Sequence, residues 1–378
     1  MKRRSILGLI SACALGVPTL AAYAGTLTPG RPANVIILTN GSYLRYRQIL
    51  LTTMEGLRRL GIINWVPTDN DDQPNAGTAD VWAELAAKAG GSQLKFLPDG
   101  HYTYNFDPDR REKVRSLILS RIKEQKDVDL ILTFGTEPSL DMAKNITDIP
   151  VLSVNSSDPV AFQIVKSADD SGQDNLHALV TENYFAWQVR CFHSIFRFGF
   201  LGLLAAEDRV KQAGADEVET ACTNLGSGFT IVTYKEDSSD KEASYQALKK
   251  GLEDLLDQGV DAVMLPWFDC PDDRFSEFLA AMTSRGIPCF SQVGTEPVSR
   301  GILLGVGDTN LDNYGFFEAQ VISQVLQGTK PRSINQRYIQ SNGLAINLKT
   351  AMQMGWKPPF GLLLTVEKAY TTQSPAVH

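Results

Sequence analysis

The residues of this sequence that could do chemistry lie in short polar clusters, each at the end of an apolar run. They are Asn40-Gly41-Ser42, Gly135-Thr136-Glu137, Asn155-Ser156-Ser157-Asp158, Glu207-Asp208, Trp267-Phe268-Asp269, Gly294-Thr295 and Gly307-Asp308-Thr309-Asn310. Ser42 and Thr136, with neighbouring N–H groups, suit a carboxylate or carbonyl oxygen, and a helix opening near Thr136 favours an anionic group there. Trp267 offers a face for a planar ligand. Asp158, Glu207 and Asp269 could in principle pair as carboxylates across a cleft, as in glycosyl transfer or hydrolysis, although Glu207 also reads as a helix-start carboxylate favoured by the dipole. Catalytic signatures are otherwise missing: there is no GxSxG elbow, no phosphate-binding loop, no GxGxxG and no His at an expected strand end. The set therefore reads as non-covalent capture of a small molecule, with no catalytic residue, no cofactor and no metal, and with a two-lobe enzyme as the alternative.

Such clusters serve one ligand only if strands deliver them to one sheet edge. Residues 129–134 and 149–154 read as two buried parallel strands around a strand, turn and helix, and the edge outside their carboxyl ends is where ligands sit in open α/β sheets. The same unit recurs along the chain. Strands are expected over 34–39, 93–97, 199–205, 229–234, 260–266, 287–293, 301–305 and 337–340. Helices are expected over 46–60, 79–88, 110–125, 183–196, 210–225, 241–258, 275–285, 314–327 and 344–354. Residues 98–109 read as a loop whose His101, Tyr102, Tyr104 and Phe106 pack on the core or cover a ligand. The polar stretch 166–174 reads as a crossing between two halves, and the tail after Tyr370 as frayed.

The first residues bear on the compartment. Lys2, Arg3 and Arg4 precede an apolar stretch over 6–20, and Ala22-Tyr23-Ala24 fits a small-x-small cleavage site, so a secretory signal over 1–24 is expected. Ile10-Ser11-Ala12-Cys13 also resembles a lipobox that would anchor Cys13, and Arg3-Arg4 a loose twin-arginine signal; each route leads to the periplasm or another extracytoplasmic place. Removing 24 residues with three basic and no acidic side chains takes the net charge from −7 to −10, which disfavours nucleic acid and anionic membranes as partners. The remaining length fits two domains. Four cysteines stay, Cys191, Cys222, Cys270 and Cys289; disulfides Cys270–Cys289 and Cys191–Cys222 are one expectation and four free buried thiols the other.

Towards the end the residues become specific. Val325-Leu326-Gln327-Gly328-Thr329-Lys330-Pro331, then Ala345-Ile346-Asn347-Leu348-Lys349-Thr350-Ala351 and Gly355-Trp356, closely resemble the end of the ABC-transporter substrate-binding protein family that includes tryptophan- and phenylalanine-binding members. Gly56-Leu57, Leu60-Gly61, Val128-Asp129-Leu130-Ile131, Gly135-Thr136 and Ser157-Asp158-Pro159-Val160 follow in that family's order. The resemblance implies an α/β architecture of two Rossmann-like lobes, the type I periplasmic binding protein fold, with three interlobe crossings near 159–174, 307–310 and 332–336. Lobe one would hold 25–159 plus 309–332, and lobe two 160–308 plus 333–378. It further implies a monomer that closes on a small-molecule ligand, an aromatic amino acid or other carboxylate, and either delivers it to an ABC permease or reports it to a membrane receptor. Carried over by position, the ligand contacts are Asn40, Gly41, Ser42, Thr136, Glu137, Asn155, Ser156, Asp158, Glu207, Trp267, Asp269, Gly294 and Thr295. Where many relatives have Tyr-Gly-x-Asp, this chain has Gly307 and Asn310, which leaves Asp308 as the carboxylate for an α-ammonium group.

Overall fold

The computed structural model describes residues 31–66, 77–89, 93–146, 148–237, 240–308, 311–339 and 342–372, apart from the Asp308 side chain. The leader, Cys13, Asn310 and most of the polar stretch from Pro67 lie outside the described residues. The first half builds β1 (Ala33–Thr39), α1 (Leu44–Arg59), α2 (Thr78–Lys88), β2 (Leu94–Thr103), α3 (Pro108–Glu124), β3 (Leu130–Phe134), α4 (Thr136–Asn145), β4 (Val151–Asn155) and β5 (Leu176–Ala178). These five strands form one parallel sheet in the order β2-β1-β3-β4-β5. Its strands are apolar on both faces because helices cover both. Ile49, Leu50, Trp82 and Leu85 of α1 and α2 close one side, and Ile118 of α3 with Met142 of α4 the other.

The second half runs α5 (Tyr184–Phe196), β6 (Phe200–Ala206), α6 (Ala215–Leu225), β7 (Gly228–Tyr234), α7 (Lys241–Asp257), β8 (Ala262–Leu265), α8 (Asp272–Thr283), β9 (Cys289–Ser291), α9 (Glu296–Arg300) and β10 (Leu304–Asp308). The chain then makes α10 (Leu311–Leu326), β11 (Asn342–Asn347), α11 (Leu348–Gln353), α12 (Phe360–Leu363) and β12 (Val366–Tyr370). The second sheet has the order β12-β11-β10-β9-β8-β6-β7, parallel except where β11 meets β10. Helix α10 belongs with the first sheet: its Tyr314, Ala319, Ile322 and Val325 join the core beneath α1. The approach of α10 to α1 needs glycine, since a Cβ at Gly315 would lie 2.2 Å from the Thr52 carbonyl carbon and one at Gly56 2.7 Å from the Ala319 Cβ.

Several local expectations change. β2 runs on through Pro98 to Thr103 beside a register shift between Val35 and Ile37, so His101 and Tyr102 are strand residues; an edge strand tolerates the proline because one side of it is unpaired. Residues 344–347 extend β11 rather than a helix, which starts only where the Asn347 side chain accepts from the Thr350 N–H; a short apolar run is ambiguous until a neighbouring strand decides it. Arg337 makes only an isolated bridge to Val180, and α6 begins at Ala215 after a single turn over Glu207–Arg209. The first sheet also continues past Pro159, because Ile164, Val165, Leu176 and Val180 all sit in its core; three-residue β5 is too short to show a period in sequence. The chain passes between the sheets after Val180, after Asp308 and after Tyr338. All four cysteines are free thiols, so the two disulfides are not formed: Cys222 and Cys289 are enclosed in the second core, and the Cys289 sulfur accepts the Leu303 N–H. Among the described residues no helix is long and apolar enough to cross a membrane.

At the first and third passages His177 is fully enclosed, its Nε2–H donating to the Asn335 carbonyl at 3.0 Å while Nδ1 has no partner. Burial pushes the imidazole down to about 4, only partly offset by that carbonyl. The folded ring is neutral, so protons bind the unfolded chain first. Stability conferred by His177 should therefore fall by about 1.4 kcal/mol per pH unit from about 6.5 down to the folded value. The change in urea midpoint between pH 6.5 and 4.5 should differ between wild type and His177→Gln by this slope; an equal change in the two proteins would mean the ring protonates in place.

Candidate functional site

The carboxyl ends of β1, β3 and β4 bring most of the expected lobe-one residues together. Asn40 follows β1 and donates through Nδ2 to Glu137 Oε2 at 2.9 Å, joining the first two clusters. Gly135 is positive in φ at +112°, and a Cβ there would meet the Asn40 Cβ and the Tyr46 hydroxyl at 2.8 Å, so only glycine permits this approach. The turn starts α4, and the Thr136 hydroxyl accepts the Ser157 N–H at 3.2 Å. Ser153, Ser139 and Thr133 form a buried hydroxyl chain behind it that ends on Ser156. The Asn155 side chain lies 3.5 Å from the Tyr314 hydroxyl, which in turn donates to the Val154 carbonyl. Asp158 Oδ1 accepts from the Val160 and Ala161 N–H groups.

One lobe-one residue is better placed than its sequence suggested. Tyr104 of the aromatic stretch is buried and donates to Asp141, whereas Phe106 is 55% exposed and lies over Gly41, where a Cβ would be 2.2 Å from the ring. Asn105 and Phe106 are both left-handed, at φ +57° and +56°, a conformation that bulky side chains rarely adopt. The Phe106 N–H is held to the Asn40 carbonyl at 2.7 Å, which pins the ring above the first cluster.

The carboxyl ends of β6, β7 and β8 make a second group. Trp267 is 40% exposed, and the Arg209 guanidinium lies 4.2 Å over its ring. Arg209 is also 2.9 Å from Glu236, an ion pair whose angle falls short of a hydrogen bond. Burial pushes the Glu236 carboxyl up, Arg209 opposes, and Asp269 and Asp208 add to the rise; the Tyr234 phenol is raised by burial and then by Glu236. Arg209, Tyr234 and Glu236 were missed in sequence, although the strand-end rule that found Trp267 applies equally to residues after β7. Glu207 is exposed on the turn after β6. Gly294 and Thr295 lie farther along the same edge, where a Cβ at Gly307 would stand 3.0 Å from the Gly294 Cα. Asp308 pairs through its backbone with Asn342; its side chain and Asn310 lie outside the described residues.

The two halves of the molecule also approach one another at other residues. Lys211 lies 4.7 Å over the Phe162 ring, and the Tyr43 phenol, raised chiefly by burial and lowered by Arg45, also feels Glu296 of α9. A cavity of about 450 Å³ between Val160, Lys166 and Gln173 contains none of the expected ligand residues. Among the described residues no three His, Cys, Asp or Glu side chains converge for a metal ion.

No protein-family model and no curated protein matches this sequence. Solved structures do match over most of its length. The ABC domain from Streptococcus pneumoniae in complex with L-Trp superposes with a TM-score of 0.65 at 18% identity, covering 89% of this chain and 99% of that one. A periplasmic binding protein type 1 from Bordetella pertussis gives 0.51 at 13% identity over 80% and 86% of the two chains. An ABC-transporter solute-binding protein from R. palustris in complex with 4-hydroxybenzoate gives 0.52 at 13% identity over 83% and 92%. The chain thus has the type I periplasmic binding protein fold, two doubly wound α/β units joined by three passages, as the sequence resemblance implied. It shares that fold with solute-binding proteins of ABC transporters.

Proposed function

We propose that the chain is an exported solute-binding protein that captures a small organic molecule between its two lobes and delivers it, as a monomer, to an ABC permease. The observations that support this reading are the two strand-end clusters, one on each sheet, in halves joined by three chain passages: Asn40, Thr136 and Glu137 on one, Trp267, Arg209 and Glu236 on the other. Lobe one is the unit of the five-stranded sheet with α10, and lobe two the unit of the seven-stranded sheet. Val180 and Arg337, bridged to each other, form the hinge with the Asp308 passage. Closure is stabilised by ligand because contacts to lobe two form only when the lobes approach. The N-terminus of α4 and Thr136 take an oxygen-bearing group, and Phe106 and Trp267 take the faces of a ring. Among the described residues neither strand-end cluster pairs a nucleophile with a base, which favours a binding role over turnover.

A thermal-shift screen of the protein without residues 1–24 against aromatic amino acids, aryl carboxylates, purines and sugars tests this. A ligand at about 100 times its Kd adds about 2.7 kcal/mol to stability and moves the midpoint visibly. Trp267→Ala should weaken the best ligand about 10-fold, the upper range for an aromatic pair. Unchanged affinity would remove the stacking role, and turnover of any bound compound would restore the enzyme alternative.

A further inference from the structure

We infer that the lobe-two end of the cleft is a subsite for an organic cation, which Arg209 fills with its own guanidinium in this structure and which a cationic nitrogen of the ligand fills on binding. The inference rests on the solute-binding reading and names the chemistry that its lobe-two contacts select. Arg209 has the two partners an organic cation seeks, the Trp267 ring at 4.2 Å and the Glu236 carboxylate at 2.9 Å. The ion pair is misaligned for hydrogen bonding, so a better-placed cation would gain bonds that Arg209 does not make. Arg209 also ends a single three-residue turn, Glu207–Arg209, and not a long helix, so moving it disturbs only a loop.

The surroundings hold more negative charge than Arg209 can offset. Glu236, Asp208 and Asp269 all act on the Tyr234 phenol, and Arg209 is the cation acting against them. Tyr234 supplies the independent sign of a ligand. It is 4% exposed, its hydroxyl lies among these charges, and it has no hydrogen-bond partner. A buried phenol without a partner costs free energy that a bound acceptor or donor recovers. The acids do not converge as metal ligands among the described residues, so an ammonium, guanidinium or amidinium group fits better than a metal ion. A plain aryl carboxylate brings only a further negative charge to this end.

Chemical rescue tests the subsite without knowledge of the natural ligand. Arg209→Ala vacates the position, and methylguanidinium chloride should then bind saturably, raising the midpoint and changing the Trp267 fluorescence, beyond the effect of equal sodium chloride. Wild type should show no saturable response, and Arg209→Ala with Glu236→Gln should bind at least 10-fold more weakly. Absence of saturable binding in Arg209→Ala, or binding indifferent to Glu236→Gln, overturns the proposal; Arg209→Gln serves as the second variant should the alanine form fail to fold. In wild type, tryptamine, L-tryptophan and indole-3-acetate share one ring and differ in charge. The amines should bind at least 10-fold tighter than indole-3-acetate, and the reverse order overturns the inference. Rescue with no binding of any panel compound would support the cation subsite and count against the proposed ligand class, so the two readings fail separately.

Discussion

Gly315→Ala should destabilise the five-stranded lobe by about 3 kcal/mol, the upper end of what overpacking costs. In an exposed helix the same change would gain roughly 0.5–1 kcal/mol, because alanine is the better helix former. Here the added methyl would stand 2.2 Å from the Thr52 carbonyl carbon and 2.5 Å from the Thr53 nitrogen, both backbone atoms of α1 that no rotamer change can move. Gly56 makes the reciprocal approach against Ala319 and the Gly315 carbonyl, so the two helices meet glycine to backbone. Gly361 of α12 is the control, since a Cβ there meets nothing within 4 Å. Urea unfolding of the three proteins should place Gly315→Ala well below wild type and Gly361→Ala beside it. A Gly315→Ala midpoint matching the control would mean that α10 does not press on α1 as described.

Glu318→Gln should stabilise the protein at neutral pH and flatten its response to alkali. Glu318 lies on α10 with 0% exposure, and neither carboxyl oxygen has a partner. Burial alone holds its carboxyl well above the ordinary range. In the fold the group stays protonated while the unfolded chain releases its proton above about 4.3, so the unfolded state binds fewer protons and stability falls as pH rises. The slope is about 1.4 kcal/mol per pH unit until Glu318 itself ionises. Glutamine keeps the shape without the titration. Urea midpoints at pH 6.5 and pH 8, above the window in which His177 titrates, should therefore converge in Glu318→Gln, relative to wild type, and an unaltered slope would show that the carboxyl is already ionised in the fold. His177 has the opposite sign between about 6.5 and its lowered value near 4. Over that window the two slopes cancel in wild type, and each single variant should uncover the other.

Much of the candidate site follows from local chemistry. Asn40, Thr136 and Trp267 follow apolar strands, and a strand-end rule needs only the strand and the first polar residue after it. Asp158 meets the same rule and also holds its own turn, because its Oδ1 reaches two N–H groups at 3.0 and 2.9 Å. Arg209 and Glu236 were passed over because their roles depend on each other and on Trp267, from three loops far apart in the chain. Phe106 was grouped with Tyr102 and Tyr104, yet only a left-handed backbone at Asn105 and Phe106 turns its ring outward.

The sequence by itself determined the strand–helix repeat and the parallel order of the strands around 130–155, because periodicity and turn chemistry act over a few residues, while the two-lobe class came from the family resemblance of its motifs. Tertiary structure alone decided the rest. β11 became a strand because β10 offered it an edge, and β5 joined the first sheet because β4 did. The cysteines are free because the fold places them apart, Cys222 and Cys289 inside the second core, and α10 returned to α1 because glycines on both helices let their backbones touch. Pairing, register and close approach are relations between distant segments, and no local pattern encodes them until the chain has brought those segments together.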